Sequence, residues 1–206
     1  DTADLGTADG TPTPTDTFTA PAAHHGVSIV LEDGTLLTTV GDETARSGAA
    51  AMKKDGGDWS EISSNKKCPG IHGEGTAKDE AVVFGCEDGA LLYRDGAFEK
   101  LDAPDEFGRM GNAYVSETSP VVVGDYKTDP DAEGYLLDAV TLIDTASPSL
   151  RVVDLPDDVQ YTFRDVARGP GDRAYILSTD GNIHVLDPES GELVDEIPVV
   201  EPWEGP

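Results

Sequence analysis

Three of the four histidines in this 206-residue sequence stand ahead of apolar runs, two of them at matched positions, which makes them the first candidates for chemistry. His25, in His24-His25-Gly26, precedes Thr35 by 10 residues (35−25), and His72, in Ile71-His72-Gly73-Glu74, precedes Ala81 by 9 (81−72). Neutral imidazole nitrogens joined by a carboxylate oxygen form an ordinary first shell for Zn²⁺. Glu74 lies two positions beyond His72, so in a regular strand it would share that residue's face. A glycine after each histidine lets the backbone pass close to such a centre. The same spacing also suits channel histidines hydrogen-bonded to backbone and water, and by itself it does not choose between the two.

The fourth histidine, His184, alternates with Ile183 and Val185 and is expected to face solvent or a neighbouring sheet. Cys68 and Cys86 are an even pair at short separation. In an exported protein they fit a disulfide, worth about 3 kcal/mol for a loop of this length. In a reducing compartment they would be two buried thiols, or Cys68 a thiolate ligand. The acidic run Asp125–Gly134 mimics a calcium loop: with Asp129 in first place Gly134 falls correctly, but Pro130 intrudes and Val140 occupies the place of the final glutamate. An acidic turn is the better description. No G-x-S-x-G elbow and no glycine-rich phosphate loop occurs, and no catalytic set stands out, so an enzyme is not expected. Trp59 and Trp203 are read as packing residues.

The elements that must position these groups are short strands. Gly and Pro supply 23 and 14 residues, spread along the chain, and no helical pattern of useful length interrupts them. Thr35–Val40, Ala81–Cys86, Pro120–Asp125 and Arg173–Ser178 read as buried strands, and their starts lie 46, 39 and 53 residues apart (81−35, 120−81, 173−120). A spacing near that of propeller repeats, with room for four strands per unit, predicts an all-β β-propeller. About four four-stranded blades are expected, over 22–67, 68–106, 107–160 and 161–206, after an extended Thr- and Pro-rich arm at 1–21. The fourth unit shows the pattern most fully: Phe163–Arg168, a turn, Arg173–Ser178, the Asp180-Gly181 hairpin, Asn182–Asp187, and Glu192–Val199. Four blades make either a small closed ring or half of a larger one, and an open half would leave two bare sheet faces. Because first strands line the channel of a propeller, His25 and His72 are expected to converge near its axis.

Against 14 Lys and Arg stand 41 Asp and Glu, a formal charge of −27. Phosphate backbones and anionic membrane surfaces would repel such a protein, whereas cations would be attracted. No apolar run is long enough for a membrane span. The chain opens at Asp1 without a leader pattern and is read as a mature or clipped product.

Taken together, His24-His25-Gly26-Val27, Cys68-Pro69-Gly70-Ile71-His72-Gly73-Glu74, Val83–Gly89, Gly124-Asp125-Tyr126 and Thr179–Asp187 resemble the AztD zinc metallochaperones. Those are secreted or periplasmic β-propellers that hold zinc and hand it to the solute-binding protein of a zinc ABC importer. The resemblance runs from about Pro21 to Trp203 and is most specific in the Cys-Pro-Gly-x-His-Gly-Glu segment. It implies zinc as the bound metal, zinc sites that include His25 and His72 with His24 and Glu74, a Cys68–Cys86 pairing, and a secreted, periplasmic or cell-surface location. Members of that family carry a further N-terminal half with histidine motifs of the His-Gly-Asp-His kind, which this sequence lacks. The chain is accordingly expected to be a C-terminal half, with the other half available as a separate chain. The competing functions are a metal-free extracellular propeller that binds protein or carbohydrate, and a propeller lyase or hydrolase with a channel histidine as base.

Overall fold

A computed structural model describes residues 16–205. Residues 1–15, most of the expected arm, lie outside the described part. Residues 16–20 have no regular structure, and their start lies on the first sheet. Trp59 Nε1 donates to the Thr17 carbonyl at 3.1 Å, the Phe18 ring meets Trp59 edge-on, and Lys54 pairs with Asp16 at 2.6 Å.

The fold is an all-β propeller segment of four antiparallel sheets, each a meander of four consecutive strands. The first holds β1 (Ser28–Val30), β2 (Leu36–Gly41), β3 (Arg46–Asp55) and β4 (Asp58–Asn65). The second holds β5 (His72–Thr76), β6 (Val82–Cys86), β7 (Asp88–Arg94) and β8 (Ala97–Asp102), with the two-residue β9 (Gly108–Arg109) added in parallel to β7. The third is β10 (Ala113–Tyr114), β11 (Val121–Asp125), β12 (Ala139–Asp144) and β13 (Ser149–Asp154). The fourth is β14 (Val166–Arg168), β15 (Ala174–Leu177), β16 (Asn182–Asp187) and β17 (Glu192–Pro198).

Tight turns make the meanders possible. β7 and β8 are joined at Arg94↔Ala97 by Asp95-Gly96, both at positive φ (51° and 81°), and β3 and β4 at Asp55↔Asp58 by Gly56-Gly57 (62° and 123°). Two positive φ angles match the twist of the flanking strands, which is why Asp-Gly and Gly-Gly occupy these places.

The apolar runs in the sequence become the second strands, and their continuity has a packing cause. β6 and β11 are buried at every residue. Phe84 and Val82 pack with Leu37 and Ala51 of the first sheet, while Val83 turns the other way to Met110, Val122 and Ile143. Val121 and Val123 meet Val166 and Ile176 of the fourth sheet. A strand sandwiched between two neighbouring sheets must be apolar on both faces, so the usual alternation disappears. Outer strands such as β17 are mostly exposed, with Leu193 packed against the core.

Three core clusters thus join the four sheets in sequence, and among the described residues none joins the first sheet to the fourth. Exposed large apolar residues fall mainly on these end sheets: Val30 and Ile62 on the first, Val194 and Ile197 on the fourth. Among the described residues no helix is long and apolar enough to cross a membrane.

Candidate metal centre

His25 and His72 come together. Their rings, from the first and second sheets, lie 5.5 Å apart between centroids and 11° from parallel. His72 opens β5, as expected of a channel-lining residue. His25 instead precedes β1 by three residues and is exposed.

The two rings are held very differently. His72 Nδ1 lies 2.8 Å from the Gly111 carbonyl. A carbonyl can only accept, so Nδ1 carries the proton and Nε2 presents its lone pair. Among the described residues His25 has no hydrogen-bond partner, and its ring can turn. That freedom matters, because an imidazole lone pair lies in the ring plane, and stacked, nearly parallel planes share no nearby point. For both nitrogens to reach one ion at the usual 2.0–2.1 Å, His25 has to swing while His72 stays anchored.

His24 is already committed. Its Nδ1 lies 3.0 Å from the Ala22 carbonyl and its Nε2 3.0 Å from Thr39 Oγ1, which in turn accepts the Val27 N–H at 3.2 Å. The ring sits between Gly26 and Gly41, where a Cβ would come within 2.8 and 3.2 Å of it. His24 therefore fixes the segment that carries His25.

Glu74 does not share the face of His72, contrary to the expectation from their spacing. His72 pairs with Gly85 and Glu74 with Phe84, adjacent residues of β6, so Gly73 is an extra residue in a bulge. The bulge turns Glu74 to the Phe84 face. Gly73 has φ of 66°, and a Cβ there would stand 2.3 Å from the Gly111 oxygen. Glycine is needed both for the backbone angle and for the close approach that lets His72 reach Gly111. Among the described residues no group of three or more His, Cys, Asp and Glu side chains is poised around one point. What the fold brings together here is the pair of imidazoles, His25 and His72.

Cys68 and Cys86 form a disulfide, with Cα atoms 4.9 Å apart and both residues fully buried. That removes the free-thiol and thiolate-ligand readings. The bond ties the segment before His72 to the end of β6. The same segment is stitched to both sheets, by Gly70 N–H to the Arg46 carbonyl (2.9 Å) and Glu87 N–H to the Pro69 carbonyl (2.9 Å).

Open clefts flank the pair. One of about 450 Å³ borders His25 and is lined by Asp42, Glu43, Arg46, Gly70 and Glu87. Asp42 is held below the usual carboxylate range by hydrogen bonds from the Thr44 hydroxyl, the Thr44 N–H and the Ala45 N–H. The other, about 210 Å³, borders His72 and includes Arg109, Asn112, Asp125 and Phe163.

His184 is buried at 5% exposure and does not face solvent. Its Nε2 lies 2.9 Å from Asp180 Oδ2 within its own sheet. Burial pushes the Asp180 carboxyl up, but hydrogen bonds from the Asn182 N–H, His184, the Asn182 side chain and Ser178 outweigh it and hold the group below its usual value. Asp129 closes an acidic turn, accepting the Asp131 N–H at 2.9 Å, and Lys127 Nζ donates to the Ala132 carbonyl. The spacing of the histidines pointed to neither Gly111, in the link between β9 and β10, nor Asp125 of the third sheet, which come near His72 only in the folded protein.

No protein-family profile matches the chain. It is 25% identical over 191 residues to the zinc chaperone AztD of Citrobacter koseri, an alignment covering 88% of this chain and 42% of that protein. The structure of apo AztD from C. koseri superposes with a TM-score of 0.64 at 23% identity, covering 88% of this chain and 48% of that one. The dihydro-heme d1 dehydrogenase NirN superposes with a TM-score of 0.58 at 15% identity, covering 97% and 42%. The chain thus spans less than half the length of these relatives. Sequence and fold agree in one resemblance, to the C-terminal half of the zinc chaperone AztD.

Proposed function

We propose that this chain is part of a zinc chaperone, which holds the ion at the channel mouth between its first two sheets and passes it to the solute-binding protein of a zinc ABC importer. The observation that carries this reading is the pairing of His25 and His72 from different sheets, with the Nε2 lone pair of His72 left free by the Gly111 bond. Similarity to a protein named as a zinc chaperone supports it.

In this reading His25 and His72 are the protein's donors, His24 supports His25, and Glu74 takes no part in the first shell. The remaining positions go to water, to blades beyond this chain (as part of a longer chain or as a separate one), and to the partner during transfer. A half-shell suits a carrier, because a closed four-ligand site would release its ion slowly, whereas open positions let an incoming protein replace ligands one at a time. The work done is reversible coordination, not catalysis. The buried disulfide supports an oxidising location, periplasmic or extracellular, and the charge of −27 favours a cation as cargo.

The test is zinc titration against a competing chelator for the wild type, His25→Ala, His72→Ala and the double variant. Each single change is expected to weaken binding and the double change to abolish it. Unchanged stoichiometry and affinity in the double variant would remove the site.

A further inference from the structure

Asp125, the last residue of β11, is a buried carboxylate, 7% exposed, in a chain whose acids mostly lie on its surface. Among the described residues it makes no ion pair. Its three partners all belong to one short stretch: Oδ1 accepts the N–H of Gly111 (2.6 Å) and the N–H of Asn112 (2.8 Å), and Oδ2 accepts Asn112 Nδ2 (2.9 Å). Three N–H donors of this kind are what a carboxylate needs to remain out of water.

One of these bonds has a second end. The Asn112 N–H and the Gly111 carbonyl are the two sides of a single peptide unit, and that carbonyl accepts the His72 Nδ1 proton at 2.8 Å. Asp125, one peptide and one imidazole therefore form an unbroken line from β11 of the third sheet to β5 of the second. Negative charge on the N–H side of a peptide draws its dipole along the line and makes its oxygen a stronger acceptor. A stronger acceptor at Nδ1 fixes the tautomer and leaves the Nε2 lone pair for the ion. This is the effect of the carboxylate–histidine pairs that stand behind metal-bound histidines, with a peptide placed between the two groups.

The surrounding backbone is built for this contact. A Cβ at Gly85 would lie 2.1 Å from the Met110 oxygen, and one at Gly73 2.3 Å from the Gly111 oxygen, so residues 110–112 pass against β5 and β6 through a slot lined by glycine. The slot brings the peptide within reach, and Asp125 decides how it is turned.

We propose that Asp125 is a positioning residue for zinc binding, acting through the Gly111–Asn112 peptide to hold His72 as the Nδ1–H tautomer with Nε2 available to the ion. This rests on the reading of His72 as a zinc donor, but its first test does not need zinc.

Long-range ¹⁵N NMR of the metal-free protein, at a pH where the ring is neutral, should show His72 as the Nδ1–H tautomer, and Asp125→Ala should shift it toward a mixture. Zinc titration should then show D125A weakened by about 10- to 100-fold, with no further loss when D125A is added to H72A. Exchanging donor and acceptor, D125N with N112D, should restore the tautomer, since an amide oxygen still accepts the two N–H groups, and part of the affinity, since the charge no longer sits on the peptide N–H. That paired variant also decides the matter if D125A alone does not fold. An Nε2–H tautomer in the wild type, an unchanged tautomer and affinity in D125A, a D125A effect that persists in H72A, or a folded exchange variant that restores neither property would each overturn the proposal. If H72A leaves zinc binding untouched, the functional reading fails, and the tautomer of D125A alone decides the role of Asp125.

Discussion

Replacing both cysteines, C68A with C86A, removes a constraint whose worth follows from the structure. The bond joins residues separated by 18 in sequence and closes a loop of 19, counting both cysteines. Loop-closure entropy for that length is about 11 cal/mol/K, or about 3 kcal/mol at 25 °C. Both cysteines are fully buried among Ile71, Phe84 and Leu91. Alanine keeps the site apolar but leaves it underfilled, adding about 1 kcal/mol for the lost sulfur contacts. The expected total of about 4 kcal/mol is a large share of an ordinary domain's stability, and corresponds to a fall in Tm of about 8–16 °C for a chain of this size. Urea unfolding at neutral pH, followed by fluorescence of Trp59 and Trp203, reads the difference through the midpoint. Wild type unfolded with a reductant present should approach the variant, and denatured, unreduced wild type should show no free thiol. A loss below about 1 kcal/mol at unchanged slope would mean that the loop does not restrict the unfolded chain as argued. Zinc affinity should fall as well, since the bond anchors the segment that presents His72.

Gly73→Ala should cost about 1–2 kcal/mol for the left-handed backbone alone. It should also weaken zinc binding, because a Cβ 2.3 Å from the Gly111 oxygen pushes away the acceptor of His72; urea unfolding and zinc titration check both effects, and wild-type values in each would refute the role given to the bulge. Asp180 supplies a pH dependence: its folded carboxyl titrates below the ordinary value of 3.8, so its contribution is complete above that pH and is lost as pH falls through the folded value. Asp180→Asn should therefore be less stable than wild type at pH 5 to 7, and the gap should narrow in unfolding curves taken below about pH 4. A gap that stays constant down to pH 2 would contradict this account.

The propeller was legible because its punctuation is local. Asp95-Gly96 and Gly56-Gly57 are turns wherever they occur between strands, and runs such as Val121-Val122-Val123 are unbroken because sheets cover both faces. The approach of His25 and His72 was legible for a related reason, since similar offsets of 10 and 9 from the second strands of neighbouring units bring residues near one another, even though His72 opens β5 and His25 lies three residues ahead of β1. The side assigned to Glu74 was not, because two-residue alternation assumes an unbroken ladder. The bulge at Gly73 depends on how β5 registers against β6 and on the link between β9 and β10 passing close by. For His184 the sequence left solvent and a neighbouring sheet both open, and the structure removes the first: the ring is buried, with Asp180, four residues earlier, folded back onto its Nε2.

From its sequence alone this chain was determined to be acidic, built of short strands in four repeats, and furnished with histidines at the openings of the first two repeats and a cysteine pair within the second, because composition, turn chemistry and periodicity act over a few residues. Only the tertiary structure decided which ring nitrogen carries a proton, which histidine is free to turn, and that a buried aspartate of the third sheet stands behind His72. Those outcomes depend on hydrogen bonds between residues as far apart in sequence as His72 and Gly111, and local pattern does not encode contacts that exist only once the sheets have packed around a common axis.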